Sequence, residues 1–134
     1  MTLVVEASFV VSALLDESPE GVWAEGRMQS DTLVAPHFML VEASNIIRRL
    51  ALAGDIPTDV AAQGHLDLLD LEVELYTYHV VATRVWELRN TITAYDASYV
   101  ALAEMLGAPL ATLDLALTRS PGPRCEYLTP SSVP

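Results

Sequence analysis

The chain has 134 residues, 51% of them hydrophobic, and sets 18 Asp and Glu against seven arginines and no lysine, for a formal charge of -11. A chain of this length buries about two-thirds of the surface it exposes when unfolded and is too short for two ordinary domains, so a single acidic folded domain spanning residues 1–134 is expected and disorder is excluded. The missing lysines exclude a Walker-type phosphate loop, a Schiff-base lysine, and phosphoryl sites of the receiver or haloacid-dehalogenase kind in their lysine-containing form.

The one cysteine, Cys125, has no partner for a disulfide within the chain or for a structural zinc, so a reducing compartment, the cytoplasm, is expected. The apolar opening from Leu3 to Val11 lacks a basic leader and is broken by Glu6, so it reads as structure rather than as a signal peptide. No uncharged run exceeds about ten residues, against the ~20 a membrane helix needs, so no membrane span is expected.

In chain order, Leu3-Val4-Val5 predicts a strand and Ser8 to Leu15 a helix, with Phe9, Val10, Ala13 and Leu14 at helical spacing. Ser18 as N-cap and Pro19 at the first helical position open a second helix to about Gln29. Leu33-Val34-Ala35 predicts a strand stopped by Pro36, followed by a helix from His37 to about Ala53 with Gly54 as its stop. A helix over Pro57 to Leu71, an alternating strand over Glu72 to Tyr76 and a helix over Val80 to Arg89 come next. The last elements are a helix over Thr93 to Gly107, a strand over Leu110 to Leu113, a short helix over Asp114 to Arg119 and a strand over Glu126 to Leu128 before a Pro/Ser tail. Alternating strands and helices imply an α/β sandwich with a mainly parallel sheet and helices on both faces.

In such a sheet, ligands bind in the crevice beyond the carboxyl ends of the strands. Glu6 directly follows the first strand, and Asp114 follows the strand ending at Leu113. Asp96 falls in the first turn of the helix from Thr93, where the macrodipole favours an anion. Glu42 is placed about one and a half turns into its helix, on a face shared with Ile46 and Arg49. Each acid alone has a simpler reading: Asp96 closing a capping box with Thr93, Asp114 as an N-cap, Glu42 paired with Arg49 on a solvated face, and Glu6 as a polar strand end. Four acids converging on one crevice would instead raise one another's pKa values until a cation neutralised them. That favours Mg2+ or Mn2+, held through one or two carboxylates with several waters retained.

The stretch Trp86-Glu87-Leu88-Arg89-Asn90, then Tyr95-Asp96-Ala97-Ser98-Tyr99-Val100-Ala101-Leu102-Ala103-Glu104, then Gly107 to Asp114 with its Thr112-Leu113-Asp114 ending, resembles the carboxyl-terminal signature of PIN-domain ribonucleases of the VapC toxin type. Val5-Glu6-Ala7-Ser8 and Val41-Glu42 followed by Asn45 resemble the same family's earlier elements, and the resemblance covers nearly the whole chain. It implies a PIN-like three-layer α/β/α sandwich and hydrolysis of RNA phosphodiester bonds with Mg2+ or Mn2+, leaving a 5′-phosphate and a 3′-hydroxyl. It also implies a homodimer and a cognate VapB-type antitoxin whose tail crosses the active site. Glu6, Glu42, Asp96 and Asp114 stand at the family's acid positions. Asp96 with Asp114 or Glu6 would contact the metal and Glu42 would orient water or a second ion, with Ser8, Thr112, Asn45 and Arg89 in support.

One position departs from the family, whose first acid is normally Asp. The extra methylene of Glu6 moves the carboxylate by about 1 Å, a displacement that can lower a rate ~10²-fold. A catalytically attenuated PIN domain that binds metal, antitoxin or RNA without efficient cleavage is therefore the alternative to an active endoribonuclease toxin. An acidic α/β binding module whose carboxylates only cap helices is a third reading.

Arg48, Arg49, Arg84, Arg89 and Arg119 are the candidate phosphate contacts. Trp86 is expected in the core rather than stacked on RNA. Val22, Trp23, Met28, Phe38, Ile46 and Ile47 are candidates for an antitoxin groove, with core burial expected for most. His37, His65 and His79 show no metal-ligand spacing, and Cys125 is expected to be a buried small hydrophobe.

Overall fold

The computed structural model describes residues 1–130, so the end of the Pro/Ser tail, 131–134, lies outside the described residues. The chain runs β1 (Thr2–Val5), α1 (Ala7–Leu15), α2 (Pro19–Ser30), β2 (Thr32–Pro36), α3 (Met39–Leu52), α4 (Thr58–Leu69) and β3 (Val73–Tyr76). A 3-10 turn (Tyr78–Val80), α5 (Ala82–Glu87), α6 (Ala94–Leu106), β4 (Leu110–Ala111), α7 (Leu115–Thr118) and β5 (Tyr127–Leu128) complete it. The strands form one sheet in the order β3-β2-β1-β4-β5, with every neighbouring pair parallel. The expected α/β sandwich is thus found.

Burial explains the layering. β1 sits at the centre of the sheet, where Leu3, Val4 and Val5 are fully buried, as a strand covered on both faces requires. On one side α1 packs on α2, α3 and α4. On the other, α6 lies against β1, β2 and β4 and carries α5. Every residue from Ala97 to Ala103 is buried, and Ala97, Ser98, Ala101 and Ala103 are small enough to let the helix approach the sheet closely between the larger Tyr99, Val100 and Leu102. Gly107 ends α6 in the left-handed region (φ 61°), the usual role of glycine just past a helix.

Three boundaries differ from expectation. The helix expected from His37 begins at Met39, because the His37 N–H donates to the Tyr76 carbonyl at 2.8 Å and prolongs the β2–β3 ladder. Glu42 therefore lies in the first turn of α3, not further along. The helix expected over Val80 to Arg89 splits into the 3-10 turn and α5, and the Leu88 N–H closes α5 on the carbonyls of Arg84 and Val85. The strand expected to reach Leu113 ends at Ala111. The Thr112 N–H still donates to Leu128, at 3.1 Å, but the Thr112 hydroxyl turns to the site described below.

Arg84 does not serve as a phosphate contact. Its guanidinium binds Glu104 (Nε to Oε1, 2.7 Å) and the Gly122 carbonyl (2.9 Å), while Glu104 Oε2 accepts from the Arg124 N–H at 2.7 Å. This clip ties α5, α6 and the segment before β5 together.

Two glycines of α2 separate packing from propensity. A Cβ at Gly21 would lie 1.7 Å from the Asp16 carbonyl oxygen, whereas one at Gly26 would meet nothing within 4 Å. Gly26→Ala should raise stability by about 0.5–1 kcal/mol through helix propensity. Gly21→Ala, despite the same propensity gain, should lower it by about 1–3 kcal/mol through overpacking. Urea unfolding of the two variants checks the opposite signs.

Candidate active site

The chain leaves β1 for β2 and β3 on one side and returns to β4 on the other. A crevice therefore opens beyond the carboxyl ends of β1 and β4, where the strand order reverses. Glu6 comes directly after β1 and caps α1. Its Oε2 accepts from the Ser8 N–H (3.2 Å), the Ser8 hydroxyl and the Thr112 hydroxyl (3.1 Å). Thr112 Oγ1 in turn accepts from the Asp114 N–H (2.9 Å), Ser8 Oγ accepts from the Leu113 N–H (3.4 Å), and Asp114 Oδ1 caps α7 through the Leu117 N–H (3.1 Å). Two hydroxyls thus stitch the end of β1 to the end of β4, one acid on each side.

The other two acids come from the starts of α3 and α6. The Phe38 ring meets Tyr95 and Tyr99 edge-on, at centroid distances of 5.5 and 5.4 Å, and so locks the two helix starts together. Tyr99, 1% exposed, donates its hydroxyl to Glu42 Oε1 at 2.6 Å. The expected Arg49 pairing of Glu42 is not among the ion pairs of the described residues. Sequence reasoning missed Tyr99 as the partner, although its place three residues after Asp96 on the same helix was a usable signal. Thr93 Oγ1 accepts from the Asp96 N–H at 3.2 Å, completing that half of the expected box.

Two adjoining hollows share Asp114. One, of about 390 Å³, is lined by Glu6, Ser8, Glu42, Asn45, Arg49 and Asp114. The other, of about 460 Å³, is lined by Arg89, Asn90, Thr93, Asp96 and Asp114 among others. Asp114 caps α7 as expected, and Glu6, expected as a polar strand end, caps α1; each does so through one oxygen while lining a hollow. Burial holds the Asp96 carboxyl above its ordinary pKa, and the charges of Asp114 and Glu42 push it the same way. Glu6 is also raised, chiefly by burial with Glu42 adding, against the lowering effect of its bonds from Ser8 and Thr112. Burial and the Glu42 carboxylate keep the Tyr99 phenol protonated.

None of the four acids takes part in an ion pair among the described residues. No three His, Cys, Asp or Glu side chains among them gather into a group that would hold a metal ion by themselves. Paired oxygen donors that repel one another, without a closed cage, fit a hard cation that keeps most of its waters. Asp96 and Asp114 share one hollow and Glu6 and Asp114 the other, so either pair could contribute oxygens to such an ion. A larger hollow of about 850 Å³ lies at the opposite end of the sheet, where Thr32 and Val73 open β2 and β3, and contains none of these residues.

Arg49 and Arg89 reach the crevice, whereas Arg48 and Arg119 are exposed outside both linings. Trp86, expected in the core, is 66% exposed. Of the expected groove residues Ile47 is buried and Val22 exposed, while Trp23, Met28, Phe38 and Ile46 are partly buried against the core. Cys125 is only half-buried, and burial pushes its thiol up to about 11, a poor nucleophile at neutral pH. None of the three histidines lines the crevice, and no helix of the described residues is long and apolar enough to cross a membrane.

The PIN domain family model matches residues 3–122. Ribonuclease VapC1 of Mycobacterium tuberculosis is 34% identical over 125 residues, covering 92% of this chain and 93% of that protein. Ribonuclease VapC9 of the same species is 36% identical over 126 residues, covering 92% and 94%. Among solved structures, Mycobacterium tuberculosis VapC20, described as a sarcin-ricin loop cleaving toxin, superposes with a TM-score of 0.65 at 14% identity over 87% of this chain and 92% of that one. VapBC2 of Rickettsia felis, bound to a DNA fragment from its promoter, gives 0.64 at 17% identity over 96% and 99%. With this sheet order, this crevice and these relatives, the chain belongs to the PIN-domain family, among the VapC ribonucleases.

Proposed function

We propose that this chain is the toxin of a toxin–antitoxin pair, a Mg2+- or Mn2+-dependent endoribonuclease that hydrolyses RNA in the cytoplasm. The observation that carries the reading is the set of four acids around the β1–β4 crevice, two of them with raised pKa values and none ion-paired among the described residues. A divalent cation bound there would supply an acidified water and offset charge building on phosphorus, which no lysine of this chain can do. Asp96, Asp114 and Glu6 would hold it.

The chain's own groups do the positioning. Tyr99 fixes Glu42, which faces the crevice as the group that orients water. Ser8 and Thr112 fix Glu6, and Arg49, Arg89 and Asn45 stand where phosphate oxygens would arrive. The relatives' ribonuclease names and the VapBC2 neighbour support RNA as substrate and a VapB-type antitoxin as partner. A charge of -11 suits a basic antitoxin through complementary fields. The working unit we propose is a homodimer.

One observation favours the attenuated reading beside the active one. All three donors to Glu6 converge on one oxygen, Oε2, folding the longer side chain back onto α1 and β4. A shorter Asp would stand differently toward the crevice.

Asp96→Asn keeps the shape of the side chain and the backbone bond to Thr93 while removing the charge. It should lower Mn2+-dependent cleavage of single-stranded RNA by more than about 10²-fold, the scale of a mispositioned catalytic group, and raise the melting temperature of the metal-free protein by relieving repulsion. Cleavage equal to the parent would refute the assignment. Glu6→Asp should raise cleavage by up to about 10²-fold if the methylene attenuates the enzyme, and an unchanged rate in the same gel assay would remove that alternative.

A further inference from the structure

Trp86 lies in the last turn of α5 and is 66% exposed. A tryptophan left in water forfeits the burial that its large apolar ring would ordinarily gain. It is not free, however. The Arg89 guanidinium carbon stands 4.8 Å from the centre of the indole ring, and Arg89 Nη1 donates to the Trp86 carbonyl at 2.7 Å. A second bond thus holds the cation over the ring, and its own side chain is exposed. Arg89 also lines the hollow that contains Asp96 and Asp114, so it joins that hollow to the exposed indole beside it.

We infer that Trp86 and Arg89 form a stacking platform that receives an unpaired nucleobase flanking the scissile phosphate. This rests on the ribonuclease reading of the crevice and adds to it the selection of single-stranded over duplex RNA. An indole backed by a guanidinium offers a rigid π surface to any base, but only a base splayed out of a helix can lie on it. Arg89 has no ion pair with any carboxylate among the described residues. A second protein surface seated on the platform would strip water from an unpaired charge, whereas a polyanion brings the phosphate that the charge lacks. That difference favours RNA over a second copy of the chain as the occupant.

The chain has two tryptophans, so a Trp23→Phe background leaves Trp86 as the single reporter. With Ca2+ replacing Mg2+ to hold RNA uncut, a mixed-sequence single strand of about ten nucleotides, within the usual site size, should quench its fluorescence, and the matching blunt duplex should not. In the parent chain, Trp86→Ala should weaken single-strand binding by about 5- to 150-fold, the range for one stacked base, while Trp86→Phe stays within a few fold and duplex binding hardly moves. Unchanged single-strand affinity in Trp86→Ala, with RNA cleavage intact in the parent, overturns the platform and leaves the ribonuclease reading standing. A parent that neither binds nor cleaves RNA overturns both. Sedimentation showing that Trp86→Ala converts a dimer to monomer overturns the platform in favour of a subunit contact.

Discussion

The placement of four carboxylates, none ion-paired among the described residues, at the point where a parallel sheet reverses its strand order is the constraint on which the rest of this structure depends. Each is restrained by a different piece of local structure: Glu6 by two hydroxyls and a backbone N–H, Glu42 by the Tyr99 phenol, Asp96 by its place after Thr93, and Asp114 by capping α7. The scaffold bears the cost. Glu6 and Asp96 have pKa values above their ordinary ones, so the folded state binds their protons more tightly than the unfolded chain does. Their contribution favours folding at low pH and is lost as pH rises from the ordinary carboxylate range through the raised folded values. Asp16, lowered by its bonds from Ser18, and Glu104, lowered against its burial by Arg84 and the Arg124 N–H, act with the opposite sign and favour folding above that range.

The restraints also explain why so short a chain carries so particular a core. Phe38 must sit against both Tyr95 and Tyr99 to bring the starts of α3 and α6 together. The small residues Ala97, Ser98, Ala101 and Ala103 bring α6 close to the sheet. The Arg84–Glu104 clip then fixes α5 against α6, and with it Trp86, over whose ring Arg89 lies. The remaining acids lie elsewhere. Glu25, Asp31, Asp67, Asp70, Glu72 and Glu74 line the hollow at the far end of the sheet. They contribute to the field that would draw a basic partner but not to the crevice.

Much of this was legible in the sequence because periodicity and capping are local. The strand–helix alternation, the acids at strand ends and the Thr93 cap could all be read from neighbours within a few residues, and the motif from Trp86 to Asp114 carried the family. What failed was non-local. His37 stayed outside α3 because its N–H donates to a carbonyl on Tyr76, which shortened α3 and moved Glu42 into its first turn. Glu42 took Tyr99 rather than Arg49 because α6 arrives beside α3, a fact of topology that no spacing within α3 encodes. Arg84 and Trp86 exchanged expected roles: the arginine turned inward to Glu104 and the tryptophan stayed out. Six residues of α5 bury one narrow stripe, and Val85 occupies it.

The proposal that these acids hold a divalent cation is tested most directly by calorimetric titration of the metal-free protein with Mn2+ in buffers of different ionisation enthalpy. Because carboxyls held above their ordinary pKa give up protons to accept an ion, binding should release more protons at a pH low enough to leave them partly protonated than at a pH well above that range, and Asp96→Asn should diminish both the binding and the release. Absence of binding, or binding whose proton release is the same at both pH values and in Asp96→Asn, would contradict the account.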